Sequence, residues 1–342
     1  MDFVCPKDKQ PLEKKDNKYF CHSCHTNYPI INNIPIFFDS DFYWGEIPKD
    51  SMDEMLSIIK HDGYQAGLDY LEDNFPGRSK FVFNISRSDW RFPMDIKPGM
   101  KILDLGCGWG THTFPLADLG ADVYAIDITK QRVEFVELRK QYEKKDNVHA
   151  LVANVMELPF AEESFDIISS NGVLEWVGLQ EQFGKPDQVQ KEFLALMKKL
   201  LRPNGTLYVG IENRVALSYF SKGIDHSDLR YTSLMPRWLA NLYTKQKTKK
   251  PYLTYTYTYR GYKKLFKSVG FENIDTYIPF PGYNNPSSLV PYQSLNALRF
   301  FVLTRKHFNK KTLNLWHKIL FSKLFLRIYR FLGFSFAFYL KK

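Results

Sequence analysis

The chain has 342 residues, more than the ~250–300 at which single cores stop growing, so two or more structural units are expected. Hydrophobic residues at 44%, with aromatics at 16%, can fill a packed core, which excludes an intrinsically disordered chain. Net charge is +10 but uneven: from Thr276 onward eleven Lys and Arg accompany no Asp or Glu, so the body is near neutral and only the C-terminal end is basic.

Residues 1–40 form a first module. Met1 to Cys5 shows neither the cationic n-region nor the apolar h-region of a signal peptide, so an intracellular chain is expected. Three of the four cysteines fall within the first 24 residues, a layout that suits a metal site better than a disulfide framework. Cys21-His22-Ser23-Cys24 has the C-x2-C spacing that puts two thiolates on one tetrahedral ion, and Cys5-Pro6-Lys7-Asp8 offers a thiolate and a carboxylate. The expected ligands are Cys5, Asp8, Cys21 and Cys24 around a structural zinc, with His22 or His25 as substitutes; a ribbon held by apolar packing without metal is the alternative. Strands are expected at 27–30 and 34–38. Residues 41–98 read as a helical lead-in, with Ser51 as a cap and Glu54 completing a capping box.

From Met100 apolar runs alternate with amphipathic stretches. Strands are expected at 101–105, 122–126, 148–152, 165–169 and 205–211, with helices at 111–119, 130–142 and 189–201. Such βαβ alternation gives a parallel sheet with right-handed crossovers. An insertion at 213–259 follows, then a helix at 261–269 and strands at 271–278 and 295–303, closing a domain at 99–305. The remaining stretch, 306–342, reads as a basic amphipathic helical tail. Lys323, Arg327 and Arg330 share one helix face opposite Leu320, Leu324, Phe325, Ile328, Phe331 and Leu332, and cations interrupt the apolar run too often for it to span a membrane. A helix lying on an anionic membrane surface, or docked on its own domain or a partner, would have this pattern. The expected location is the cytoplasm, peripheral to the inner membrane face in the first case.

Asp104-Leu105-Gly106-Cys107-Gly108-Trp109-Gly110 ends the first strand. Its glycines allow backbone to approach a ligand while the next helix begins with free N–H groups. That pattern alone does not separate a dinucleotide enzyme from a methyltransferase. The neighbours do: Asp104 before the glycines, Asp127 closing the second strand, and Ala153-Asn154-Val155-Met156-Glu157-Leu158-Pro159-Phe160 ahead of Ser164-Phe165-Asp166 closely resemble class I S-adenosylmethionine (SAM) dependent methyltransferases. The resemblance spans roughly residues 100–212 and implies an α/β Rossmann-like sheet whose last strand inserts antiparallel. It implies that Gly106, Cys107, Gly108 and Gly110 border the methionine part, that Asp127 with Ile128 takes the ribose, that Asn154 and the Val155 N–H hold the adenine, and that Asn171 faces the methionine end. Cys107 would be a bystander there, since the transfer needs no covalent intermediate. Position 154 is usually Asp in the family; Asn can still accept through its amide oxygen, with weaker recognition. The N-terminal module, on its cysteines, Tyr28-Pro29-Ile30 and Ile34-Pro35, resembles the Trm112-like zinc ribbon found ahead of several bacterial methyltransferases.

Methyl transfer needs in-line positioning, and a base only if the acceptor must lose a proton. The insertion is the expected place for such a base. His226 is the candidate general base, oriented by Asp225 or Asp228. Tyr255, Tyr257 and Tyr259 read as one strand face or an acceptor-binding wall, and Arg214, Arg230 and Arg237 as solvated or anion-binding. The insertion resembles that of methyltransferases associated with bacterial surface polysaccharides, which implies O-methylation of a sugar or lipid-linked glycan. An RNA base methyltransferase and a SAM-binding scaffold without turnover are the alternatives. Nucleic acid is the weaker partner, because the tail is rich in apolar residues for a phosphate-tracking arm.

Overall fold

A computed structural model describes residues 2–221, 223–304 and 322–342. Much of the expected basic tail, with Arg305, Lys306, Lys310, Lys311, Lys318 and Leu320, lies outside the described residues. The chain divides into two compact units: 1–170 with 196–207 and 342, and 171–195 with 208–341.

The first unit opens with an antiparallel ribbon of β1 (Glu13–Lys15), β2 (Lys18–Phe20), β3 (Asn27–Ile31) and β4 (Ile34–Pro35), in that order. Asn32 and Asn33 both take positive φ, at 51° and 68°, and Ile31 pairs with Ile34. A two-residue hairpin loop needs that conformation at both positions, and asparagine tolerates it. Beyond β4 the chain lies along the sheet edge at β7 (Val148–Val152): Ile36 bridges Val152 in parallel, and the Phe37 N–H donates to the Val152 carbonyl at 2.8 Å. The ribbon thereby covers a strand edge that would otherwise present unpaired amides.

The lead-in is helical, at Lys49–Asp62, Tyr64–Asn74 and Arg78–Val82. Ser51 is not the cap. The first helix begins at Lys49 behind Pro48, whose ring fixes the φ of −56° that the chain needs there. Met52, Met55, Leu56 and Ile59 recur at helical spacing and pack with Leu71, Val82, Trp109 and Phe135. The central strands are β5 (Lys101–Leu105), β6 (Asp122–Asp127), β7 and β8 (Phe165–Asn171); β5 lies between β6 and β8, parallel to both. Their apolar runs are buried, as a parallel sheet requires. The crossover helix Lys130–Glu143 stands where expected, whereas the one before it is confined to Thr113–Ala117. Strand β9 (Leu201–Glu212) flanks β8 and continues into the second unit.

In the second unit the strand order is β11 (Ser288–Pro291), β10 (Asn273–Phe280), β12 (Ser335–Lys341), then β9, with β10 antiparallel to both its partners. Three expectations are corrected here. Residues Leu295–Thr304 form a helix, not a strand, because the Ser294 hydroxyl accepts the Ala297 N–H at 3.1 Å and nucleates the first turn ahead of Leu-Asn-Ala-Leu-Arg. The last sheet strand comes instead from the supposed tail. A helix at Lys323–Phe331 ends before Gly333, and β12 then buries Phe336, Ala337, Phe338, Tyr339 and Leu340. Tyr255, Tyr257 and Tyr259 do not form a strand face; only Tyr257 makes a bridge, to Asn213.

Candidate functional site

At the end of β5 the chain turns through Gly106, Gly108 and Gly110 at φ of 63°, 54° and 76°. A Cβ on Gly110 would stand 2.7 Å from the Phe114 ring, so both backbone and packing demand glycine. The Gly108 N–H donates to Asp127 Oδ2 at 3.1 Å and the Thr129 N–H to Oδ1 at 2.9 Å. Asp127 is therefore fixed by backbone donors at the carboxyl end of β6, each oxygen keeping a lone pair for a further donor. Asp104 is buried; its Oδ2 accepts from the Thr113 hydroxyl at 2.7 Å, and burial pushes its carboxyl up to about 7. Cys107 lies buried between the glycines, and that burial pushes its thiol well above the ordinary range, so it is no nucleophile at neutral pH. Asn154 is buried too, with Oδ1 accepting the Met156 N–H at 3.0 Å. Ile128 and Val155 follow Asp127 and Asn154, each half-buried.

Sequence reading missed one part of this cradle. Glu46, from the lead-in, accepts from Trp109 Nε1 at 2.6 Å and from Arg132 Nη2 at 2.5 Å. Arg132 also stands 3.8 Å from Asp127 and 4.4 Å over the Trp44 ring. The segment from Trp44 to Glu46 is thus strapped to the glycine loop. No spacing rule announces it.

In the ribbon, donor atoms of Cys5, Asp8, Cys21 and Cys24 all lie within 4.8 Å of one another. Cys5 and Cys24 sulfurs are 3.5 Å apart, and the Cys21 sulfur is 3.5 Å from either Asp8 oxygen. Thiolates at about 2.3 Å from one tetrahedral ion stand nearly 4 Å apart, so the set fits zinc as it stands. His22 is not part of it; its Nε2 pairs with Glu13 at the surface, 2.6 Å away.

The second unit contains another cluster. His226 Nε2 lies 3.1 Å from Glu212 Oε1 and 3.7 Å from Glu175 Oε1. Glu175 sits just past β8, Glu212 ends β9, and the Tyr283 hydroxyl donates to Glu212 Oε1 at 2.7 Å. The His226 ring packs 4.6 Å from Trp176. Burial, reinforced by Glu212, pushes Glu175 up to about 8. Burial alone would depress His226, but the two glutamates outweigh it and hold the imidazole up at about 9; His226 in turn draws Glu212 down against its own burial. At neutral pH His226 is thus an imidazolium beside an ionised Glu212, not a free base.

Asp225 does not orient His226. Its carboxylate accepts from the Ser227 N–H at 2.9 Å, the Ser227 hydroxyl at 2.6 Å and the Thr232 hydroxyl at 2.8 Å, which closes a turn and spends its lone pairs. Glu212 and Glu175 take the place expected of it. Asp228 stands exposed at positive φ. Arg214 donates to the Ser233 and Met235 carbonyls, and Arg237 to that of Thr256, so both brace the insertion; Arg230 is exposed. Asn171 belongs to this unit, its amide oxygen accepting from the Tyr208 hydroxyl at 3.1 Å.

Residues 96–255 match a family model described as a methyltransferase domain. The chain is 31% identical over 124 residues to the mitochondrial ubiquinone biosynthesis O-methyltransferase of Mus musculus, covering 35% of this chain and 31% of that protein. It is 30% identical over 145 residues to the ubiquinone biosynthesis O-methyltransferase of Xanthomonas campestris pv. campestris, covering 42% and 56% respectively. The chain thus spans about a third of the length of the mammalian relatives it matches. A SAM-dependent methyltransferase from Archaeoglobus fulgidus aligns at TM-score 0.47 and 14% identity, covering 80% of this chain and 98% of that one.

Proposed function

We propose that the chain is a SAM-dependent methyltransferase that methylates an oxygen of a small-molecule acceptor, a sugar or a lipid-linked glycan intermediate. The observation that carries the reading is the cradle at the ends of β5 and β6: three glycines at positive φ beside an Asp127 carboxylate held by backbone donors. A paired-hydroxyl ribose matches that carboxylate, and Asn154 retains its amide group for adenine. In this reading the first unit binds the methyl donor; in the second unit the Glu175, Glu212 and His226 cluster is a further functional candidate, since buried titratable groups with displaced protons mark functional sites. The ribbon would hold a structural zinc on Cys5, Asp8, Cys21 and Cys24, as a Trm112-like module. A membrane-lying tail is the weaker reading, because Arg330 donates to the Tyr292 carbonyl at 2.9 Å and is not free to meet lipid phosphates.

Incubation of the full chain with methyl-labelled SAM and separated lipid, polysaccharide and RNA fractions tests this. Label in the polysaccharide or lipid fraction is expected. Label confined to RNA would overturn the acceptor, and failure to bind S-adenosylhomocysteine would overturn the whole reading.

A further inference from the structure

We infer that Glu175, Glu212 and His226 form a binding site for one divalent cation of the Mn²⁺ kind, with two carboxylates and one imidazole as ligands. The three donor atoms come from three separate places, the segment after β8, the end of β9 and the insertion, yet all lie within 4.8 Å of one another. His226 Nε2 stands 3.1 Å from Glu212 Oε1 and 3.7 Å from Glu175 Oε1. Ligands about 2.1 Å from a common ion are roughly 3.0–3.5 Å apart across octahedral or tetrahedral edges, so an ion fits with shifts of a few tenths of an ångström.

A second observation is independent of this spacing. The Glu175 side chain is 0% exposed, and among the described residues neither of its oxygens receives a hydrogen bond; Glu212 Oε2 is orphaned likewise. Buried polar atoms are nearly always satisfied, and a carboxylate with no donor at all is costly. One cation would give the Glu175 oxygens and Glu212 Oε2 a common partner.

The surroundings are built to hold such ligands. The Tyr283 hydroxyl donates to the Glu212 carboxylate, and the Tyr262 hydroxyl to the Glu212 carbonyl at 3.0 Å. The His226 ring packs 4.6 Å from Trp176, beside the turn that Asp225 closes. Side-chain exposures of 17% for Glu212 and 23% for His226, against 0% for Glu175, leave one side open, as in sites where an exchangeable ligand completes the shell. Oxygen-rich ligation with one imidazole favours Mn²⁺ over the thiolate-seeking metals suited to the ribbon.

The cation's role rests on the methyltransferase reading. An acceptor hydroxyl entering from the open side would lose its proton to water more readily beside the ion. Its oxygen would then form the C–O bond to the methyl carbon as the C–S bond breaks, turning the sulfonium into a neutral thioether. Cation binding itself does not depend on that step.

Titration of the EDTA-dialysed full chain with Mn²⁺, followed by the paramagnetic resonance signal of free Mn²⁺, tests the site. One saturable equivalent and a Mn²⁺-dependent rise in melting temperature are expected. Glu175→Gln should weaken Mn²⁺ binding at least tenfold and abolish the rise while retaining S-adenosylhomocysteine binding; Cys21→Ser should leave Mn²⁺ binding as it is. No saturable Mn²⁺ on a chain that binds S-adenosylhomocysteine, or equal binding by Glu175→Gln, would overturn the inference. Mn²⁺ bound without S-adenosylhomocysteine would overturn the methyltransferase reading and leave the cation site standing.

Discussion

Two side chains of the first unit carry protons out of the ordinary, and their effects on stability oppose each other. Burial, with Arg87 and Arg91 adding to it, lowers His112 from 6.5 to about 3; its Nδ1 accepts from Trp90 Nε1 at 3.1 Å, a bond that requires that nitrogen unprotonated. Between those values the unfolded chain binds the proton and the folded one does not, so stability falls as pH drops from 6.5 toward 3. Asp104 moves the other way, from 3.8 to about 7: the folded state keeps a proton the unfolded state has lost, and its contribution, full at low pH, is lost as pH rises through 7. Across roughly pH 4–6.5 the two offset. Asp104→Asn removes one of them, so its unfolding free energy should fall on acidification more steeply than that of the unaltered chain, by about 1.4 kcal/mol per pH unit. Denaturant titrations at several pH values check this, and parallel slopes would refute it. Asp127 makes the second prediction. If its carboxylate meets both ribose hydroxyls, Asp127→Asn replaces one acceptor with a donor and sets that donor against one of the two backbone N–H groups, and calorimetry should show S-adenosylhomocysteine binding weakened about tenfold or more. Asp104, Asp127 and the glycines were legible because their chemistry follows a local spacing. Glu175 and Glu212 were not: they are far apart in sequence and meet only because β8 and β9 are neighbours in the sheet.

Strand β12 shows why element type was readable in the middle of the chain and misread at its end. The parallel strands are bounded by glycine turns and separated by amphipathic helices, so their period and context agree. Residues 295–304 and 323–340 are both mostly apolar or aromatic, and composition alone does not tell a buried strand from a packed helix. Ser294 and Ser322 were the overlooked signals; each caps the helix that follows, accepting the N–H of Ala297 and of Phe325 respectively at 3.1 Å. Past Gly333 the chain then enters β12. Asn213, fully buried, clamps this junction by donating to the Phe331 carbonyl at 2.7 Å and the Gly333 carbonyl at 2.8 Å. Phe338 in β12 is 0% exposed and packs edge-on against Phe266 at 5.0 Å. Phe338→Ala should cost about 3–5 kcal/mol in urea unfolding. A cost below about 1 kcal/mol would mean that the C-terminal strand is not part of the core.

On the scale of the whole chain, the ribbon is bound to the parallel sheet by backbone as well as side chains. Besides the pairing of Ile36 and Phe37 with Val152, the Val4 N–H donates to the Pro159 carbonyl at 3.0 Å and the Lys9 ammonium to the Leu158 carbonyl at 2.9 Å. Phe3 joins Tyr19, Phe37 and Phe160 in one aromatic cluster. So small a module has little apolar core of its own, and a metal crosslink is the usual remedy. Its three buried or half-buried thiols and one carboxylate converge with no disulfide among them, a donor set that a metal ion would bind with the thiols deprotonated. Chain grown with zinc should therefore carry one zinc per molecule by elemental analysis, lost on Cys21→Ser. Chelation should lower the melting temperature by several degrees, because the ribbon then ceases to shield the β7 edge. S-adenosylhomocysteine affinity should change less than about threefold, since the glycine loop and Asp127 keep their own hydrogen bonds. Zinc-free chain with an unaltered melting curve would show that apolar packing alone holds the ribbon.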